Sequence, residues 1–166
     1  EKLRENVDVS FREFNAKICV LPLDRTLGVR VPALRKISKE YAALGKDELD
    51  ILCRFPDDLF EVTFVKCFAV AYAKLTFEEL LEYLDIVVPR IDNWAICDCF
   101  TSTLKSLRKR REEFLFYIEK CVSDEREYVQ RFAYVCLLDH YTIPEYFEKE
   151  FAFMERADCS KYYVHM

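Results

Sequence analysis

The sequence is poor in glycine, with only Gly28 and Gly45 among its 166 residues. Turns with a positive φ depend largely on glycine, so the scarcity disfavours an all-β fold built from many tight turns. Loops that cradle phosphate groups need several closely spaced glycines, which let backbone N–H groups approach the anion. The composition therefore excludes a P-loop and a dinucleotide-binding fingerprint.

Histidine is also scarce, because only His140 and His165 occur. A histidine-rich metal site or a Ser/His/Asp triad is hard to assemble from two such residues. The eight cysteines are scattered through apolar segments, and Cys97 and Cys99 would point in different directions on a helix. We therefore expect reduced, mostly buried thiols, with no bound metal and no cofactor.

Long apolar runs are missing as well. No run approaches the roughly 20 residues of a membrane span, and Glu1 to Arg4 do not open a signal peptide. We expect a soluble, cytoplasmic protein that does not bind membranes and is a monomer. The chain starts without an initiator Met and stops at Met166 without a helix-ending signal, so we expect both ends of the natural protein to be missing.

The charge balance is acidic, with a net charge of -5. This balance opposes diffuse affinity for nucleic acid, so any DNA contact must use a local basic face. One basic cluster stands out near the middle of the chain, and it is either a solvated surface loop or a phosphate-binding patch. Its members are Lys105, Arg108, Lys109, Arg110 and Arg111.

Apolar residues recur at helical spacing almost throughout, and helix-ending residues fall between the segments. Pro22 ends a first predicted helix, Pro32 lies in the first turn of the second, and Gly45 closes it. The helices are predicted over about 3–19, 32–44, 47–54, 58–74, 77–88, 94–107, 110–121, 124–140 and 144–156. Capping signals occur at Thr76 with Glu79, at Asp92 or Asn93, and at Thr142, Pro144 and Glu145.

These helices, without a convincing period-2 segment, predict an all-α protein. Adjacent antiparallel pairs recur about every 35 to 40 residues, which is the size of HEAT-like units. The predicted architecture is a single domain over 1–166, a curved array of helix pairs (an α-α superhelix). Because the units share little sequence identity, a helical bundle remains an alternative.

Trp94 and Asp98 form the most informative pair of residues. They are four positions apart, so on a helix the only tryptophan and a carboxylate share one face. Two interpretations are open. Trp94 packs in the core while Asp98 caps a helix or pairs with a neighbouring basic residue, or both residues belong to a site.

Three segments in this order and spacing resemble the DNA alkylation repair (AlkD-like) family of HEAT-like repeat alkylpurine DNA glycosylases. They are Gly28 to Ile37 (GVRVPALRKI), Ile91 to Trp94 (IDNW) with Asp98, and Tyr128 to Ala133 (YVQRFA). The resemblance spans nearly the whole chain. It implies a stack of helical pairs whose concave basic face binds duplex DNA.

The resemblance also implies roles for particular residues. Asp98 matches the catalytic carboxylate, Trp94 the aromatic residue that contacts the damaged nucleotide, and Arg131 a basic residue that reaches the DNA backbone. Arg30 and Arg35 fall in the N-terminal DNA-contacting motif. Arg131 has an alternative partner in Glu127, four residues earlier, and Asn93 stands where the best-characterised type has a second aromatic residue.

The leading expectation is a DNA glycosylase that excises positively charged N3- or N7-alkylated purines from duplex DNA. The expected DNA-binding residues are Arg131, Arg30, Arg35, Lys105, Arg108 and Lys109. Two alternatives stay open: a non-catalytic repeat protein of the same ancestry that binds DNA or another macromolecule, and a scaffold whose concave face receives a peptide.

Overall fold

A computed structural model describes residues 1–166 and contains ten α helices and no strand. The only β-type pairing is an isolated bridge between Val7 and Val29. The all-α prediction is therefore confirmed. None of the ten helices combines the length and the apolar character that a membrane crossing requires.

The chain divides into two compact units, Glu1–Arg90 and Ile91–Met166. The first unit contains α1 (Val9–Ile18), α2 (Val31–Leu44), α3 (Lys46–Arg54), α4 (Phe60–Tyr72) and α5 (Phe77–Val87). The second contains α6 (Trp94–Thr103), α7 (Arg111–Val122), α8 (Glu127–Tyr141), α9 (Phe147–Met154) and α10 (Tyr162–His165). Short 3-10 turns lie at Arg4–Asn6, Leu23–Arg25, Val88–Arg90, Lys105–Lys109 and Pro144–Tyr146.

Most helix ends lie where the capping residues predict them. The Thr76 hydroxyl accepts from the N–H of Glu79 while the Glu79 carboxylate accepts from the N–H of Thr76, a capping box that starts α5. Pro32 lies in the first turn of α2, and Gly45 ends that helix with a φ of 108°. These signals act over a few residues of backbone, so they can be identified in the sequence alone.

Several predicted boundaries are wrong: the helix predicted to reach 107 ends at Thr103, the helix predicted from 124 begins at Glu127, and α10 was not predicted. The first helix begins at Val9 and not near residue 3, because the Asp8 carboxylate accepts from the N–H of Phe11 and caps α1 there. Thr142 does not cap the next helix either. Its hydroxyl donates back to the carbonyl of Leu138 at the end of α8, and Pro144 opens a 3-10 turn before α9.

Each unit is organised around one helix, α4 in the first unit and α8 in the second. In the first unit α2 packs against α4 and α3, and every residue of α4 from Phe60 to Val70 is buried, including the charged Glu61 and Lys66. In the second unit α8 packs against α6, α7, α9 and α10. The rings of Phe100, Tyr117 and Phe132 meet in its core, with centroids 5.8 Å apart for the two phenylalanines.

Candidate active site

Helix α6 begins at the most informative segment of the sequence. The Asn93 side chain is buried and accepts a hydrogen bond from the N–H of Ala95 at 2.9 Å, which caps the helix. Trp94 and Asp98 follow one turn apart, and both are half-buried. Asn93 therefore sets where α6 starts and how these two side chains are presented.

Arg131 on α8 holds the carboxylate of Asp98 with two hydrogen bonds. Its Nε donates to Oδ1 at 2.9 Å and its Nη2 donates to Oδ2 at 2.7 Å. This bidentate geometry fixes the plane of the carboxylate as well as its position. The structure thus brings together two of the predicted site residues, 33 positions apart in the sequence.

Arg131 is itself buried, with 6% of its surface exposed. Its third contact is a hydrogen bond from Nη1 to the carbonyl oxygen of Tyr163 at 2.7 Å. Burial would lower the pKa of the guanidinium, but the hydrogen bonds and negative charge of Asp98 outweigh this effect and raise it. The cation therefore faces acceptors within the protein.

The alternative pair between Arg131 and Glu127 does not form. Glu127 Oε1 accepts instead from the backbone N–H of Tyr163 at 2.7 Å. The two side chains lie one turn apart on α8, and both bind the backbone of Tyr163 on α10. Glu127 accepts from its N–H, and Arg131 donates to its carbonyl oxygen. The sequence separation allowed a contact between them, but Asp98 is the better partner because it accepts from two N–H groups of the guanidinium at once.

A buried network supports the carboxyl-terminal half of α6. The Thr101 hydroxyl lies 3.0 Å from the carbonyl of Asp98 and 2.8 Å from Oδ2 of Asp139. His140 Nε2 lies 2.8 Å from the carbonyl of Thr101. Burial lowers the pKa of His140, so the imidazole is held neutral at pH 7. This network ties the turn that carries Asp98 to the end of α8.

The predicted basic cluster separates into two groups of residues. The guanidinium groups of Arg108 and Arg111 reach the carbonyls at the carboxyl-terminal end of α8, at Asp139 and His140. Such contacts satisfy carbonyl groups that the helix leaves unpaired. Arg110 pairs with Glu113 at 2.9 Å. Lys105 and Lys109 are exposed and form no ion pair, so they are the members best placed to meet an external anion.

Arg30 and Arg35 lie in the first unit. Arg30 pairs with Asp8 at 2.9 Å, its guanidinium lies 4.5 Å from the centre of the Phe11 ring, and its side chain is 57% exposed. Arg35 donates to the hydroxyl of Tyr72 at 2.7 Å and lies over the ring of Phe68. Arg30 is therefore accessible to a ligand, whereas Arg35 is partly engaged with α4.

Sequence reasoning missed Glu61, which fixes the loop before Arg30. Its carboxylate is fully buried and accepts from the Thr26 hydroxyl at 2.7 Å and from the N–H of Gly28 at 2.8 Å. The N–H groups of Leu27 and Val29 also donate to it. The signal available in the sequence was a carboxylate inside the strongly apolar segment of α4. Such a carboxylate is expected to be buried and therefore to have hydrogen-bond partners.

The cysteines and the other possible metal ligands are placed as follows. None of the eight cysteines forms a disulfide, and Cys97 is buried, Cys99 half-buried and Cys159 exposed. Burial raises the pKa of the Cys53 thiol to about 11. The structure contains no group of three or more His, Cys, Asp or Glu side chains that could hold a metal ion.

The fold and the site define an all-α helical-repeat protein with a carboxylate, an aromatic residue and a buried arginine in one unit. The sequence model of a family described as "DNA alkylation repair enzyme" matches residues 2–159. The chain therefore belongs to the DNA alkylation repair family. No curated protein and no solved structure matches it.

Proposed function

We propose that this protein is a DNA glycosylase that excises positively charged N3- or N7-alkylated purines from duplex DNA. The observation that carries the proposal is the Asp98 carboxylate, which Arg131 fixes from one side and which lies one turn from Trp94. The side chain of Asp98 is 36% exposed, so a ligand can reach the oxygens.

The chemistry suits a cationic substrate. Alkylation at N3 or N7 gives the purine a positive charge, which weakens the glycosidic bond before any acid acts on it. As the bond breaks, a carboxylate near the sugar stabilises the oxocarbenium-like charge and orients water. At about 4 Å and an effective dielectric near 20, this attraction is worth about 4 kcal/mol, or roughly a thousandfold in rate if it is confined to the transition state.

The ion pair with Arg131 occupies part of the Asp98 carboxylate and leaves the rest available to a ligand. A carboxylate offers about four lone-pair positions, and Arg131 uses one on each oxygen of Asp98. The remaining positions can face a sugar or a water molecule. The positive charge of Arg131 reduces the attraction of Asp98 to a cationic substrate, so the figure of about 4 kcal/mol is an upper limit.

The remaining site residues have supporting roles in this proposal. Trp94 contributes cation–π attraction to the charged nucleotide. The DNA backbone is contacted by Arg30, Arg35, Lys105, Arg108 and Lys109. A phosphate contact by Arg131, which the resemblance implies, is left with two unused N–H groups on a side chain that is only 8% exposed. We therefore propose that Arg131 acts mainly by holding Asp98.

A non-catalytic protein that binds DNA or a protein partner is the second candidate. The specific observation in its favour is the burial of Arg131 against Asp98, because an ion pair of this geometry also serves simply to join two helices. In that case Asp98 stabilises the contact between α6 and α8 and takes no part in chemistry.

Release of 7-methylguanine or 3-methyladenine from alkylated duplex DNA separates the two candidates. Wild-type protein should release the base, and Asp98→Asn should lose most of the excision rate while DNA affinity changes little. Asp58→Asn, which removes an exposed carboxylate elsewhere, is the matched control. Absence of release by wild type would reject the enzyme, and equal release by wild type and Asp98→Asn would reject the role of Asp98.

A further inference from the structure

The peptide groups of Tyr163 connect α10 to the ion pair of the candidate site. Glu127 Oε1 accepts the N–H of Tyr163 at 2.7 Å, and Arg131 Nη1 donates to its carbonyl oxygen, also at 2.7 Å. Both side chains belong to consecutive turns of α8. The Arg131 side chain therefore reaches from Asp98 on α6 to Tyr163 on α10.

Other contacts hold α10 in the same place. The ring of Tyr163 lies against the ring of Tyr128, with centroids 5.0 Å apart, and Lys161 Nζ donates to the carbonyl of Glu125 at 3.0 Å. Burial and a hydrogen bond with Tyr163 raise the pKa of Tyr128. The short helix α10 has only four residues, so these contacts with α8 and with Glu125 before it set the position of α10 rather than its own hydrogen bonds.

The orientation of Arg131 depends on this arrangement. An arginine side chain has several rotatable bonds, and its guanidinium presents two donors to Asp98 in a plane only when the rotamer is fixed. The carbonyl of Tyr163 fixes the third donor. If α10 moved away, Nη1 would lose its acceptor in a buried setting, and the guanidinium would turn toward another one.

We propose that Glu127 is a positioning residue for Asp98, which acts by holding α10 so that Arg131 keeps the carboxylate in its reactive orientation. The proposal rests on the glycosylase function proposed above. Glu127 touches neither Asp98 nor the substrate, and its hydrogen bond to Tyr163 is the first step of a chain of three contacts through Arg131 to Asp98.

Three variants, two of Glu127 and one of Glu125, test the inference in single-turnover excision. Glu127→Ala removes the acceptor and should slow excision about tenfold, because small misplacement of a reacting group is costly, while DNA affinity is unchanged. Glu127→Gln keeps an acceptor oxygen and should restore most of the rate. Glu125→Ala removes an exposed carboxylate two residues away and should match wild type.

A double-variant cycle shows whether the effect passes through Asp98. In an Asp98→Asn background, Glu127→Ala should cause no further loss of rate. The NMR signal of the Arg131 Nε–H group and the fluorescence of Trp94, the only tryptophan, should both change in Glu127→Ala and keep their wild-type values in Glu127→Gln.

Three results would overturn the inference: equal excision by Glu127→Ala and Glu125→Ala, a tenfold loss that persists in the Asp98→Asn background, or an unchanged Arg131 signal. If Glu127→Ala does not fold, which would be seen as a lost thermal transition, Glu127→Gln replaces it in the test. Glu127→Gln must then behave as wild type. If wild-type protein releases no base, the glycosylase proposal fails, whereas the NMR arm still decides whether Glu127 positions Arg131.

Discussion

Arg131 Nη2 lies 2.7 Å from Oδ2 of Asp98, although the arginine is buried and the carboxylate is partly open to solvent. The pair therefore presents one acidic face outward and keeps its cation inside. Such a one-sided arrangement suits attraction of a cationic ligand to Asp98. It also makes Arg131 a poor candidate for a first encounter with a phosphate group.

Arg131→Ala should slow excision and leave the salt dependence of DNA binding unchanged. Each of its three nitrogens already donates to Asp98 or Tyr163, and its side chain is only 8% exposed, so we expect that it displaces no counterion from DNA. Lys105→Ala and Lys109→Ala should each reduce the slope of log affinity against log salt by about 0.9. Titration of undamaged duplex at several salt concentrations gives these slopes. A reduction of about 0.9 for Arg131→Ala would instead show a direct phosphate contact.

Glu61→Gln should lower the free energy of unfolding by about 2 to 4 kcal/mol. The amide group would place its own N–H donors against backbone donors of Leu27, Gly28 and Val29, and the fully buried site offers no water to compensate. Urea unfolding measures the change, with Glu48→Gln on the exposed side of α3 as control. If both variants unfold at the same urea concentration, the loop does not depend on Glu61.

Gly28→Ala should destabilise the protein more than Gly45→Ala. Both glycines have a positive φ, 83° and 108°, so each substitution carries backbone strain of about 1 kcal/mol. At Gly28 the added Cβ would also come within 3.0 Å of Arg12 and the carbonyl of Asp8, whereas at Gly45 nothing lies within 4 Å. We expect an extra loss of about 1 to 3 kcal/mol at Gly28, measured by thermal or urea unfolding. Equal losses would mean that Arg12 moves aside freely.

Stability should fall as the pH is lowered from 7 to 5, and His140 should account for part of the fall. Its pKa is lowered by burial in the folded protein, whereas in the unfolded chain it takes a proton near pH 6.5. Below that pH the unfolded state binds more protons, so the free energy of unfolding decreases until His140 itself is protonated. His140→Gln should flatten the decrease, and His165→Gln, at an exposed position, should leave it unchanged. Equal pH profiles for the two variants would contradict this assignment.

Local features were predicted well from the sequence because their physical causes span only a few residues. The sequence offers Asp92 or Asn93 as the cap of α6, and it is the Asn93 side chain that accepts from the N–H of Ala95. The common face of Trp94 and Asp98 follows from the helical repeat alone. The start of α1 was missed because the residue that caps it, Asp8, lies inside the predicted helix.

The partners of charged groups were predicted less well. Arg108 and Arg111 were assigned to one basic cluster, but their guanidinium groups reach the last carbonyls of α8, about 30 positions away. Glu61 was not singled out, because its donors come from a loop 32 to 35 positions earlier in the chain. Such contacts depend on which helices pack together, and no short segment contains that information.

The sequence by itself determined the helices, their caps and the placement of an aromatic residue and a carboxylate on one face of α6. Hydrogen bonds within one helix turn decide these features. Tertiary structure decided that Arg131 binds Asp98 and that Glu127 binds α10. A buried charge must find the partner that best replaces its lost hydration, and packing of α6 and α10 on α8 supplied that partner for Arg131.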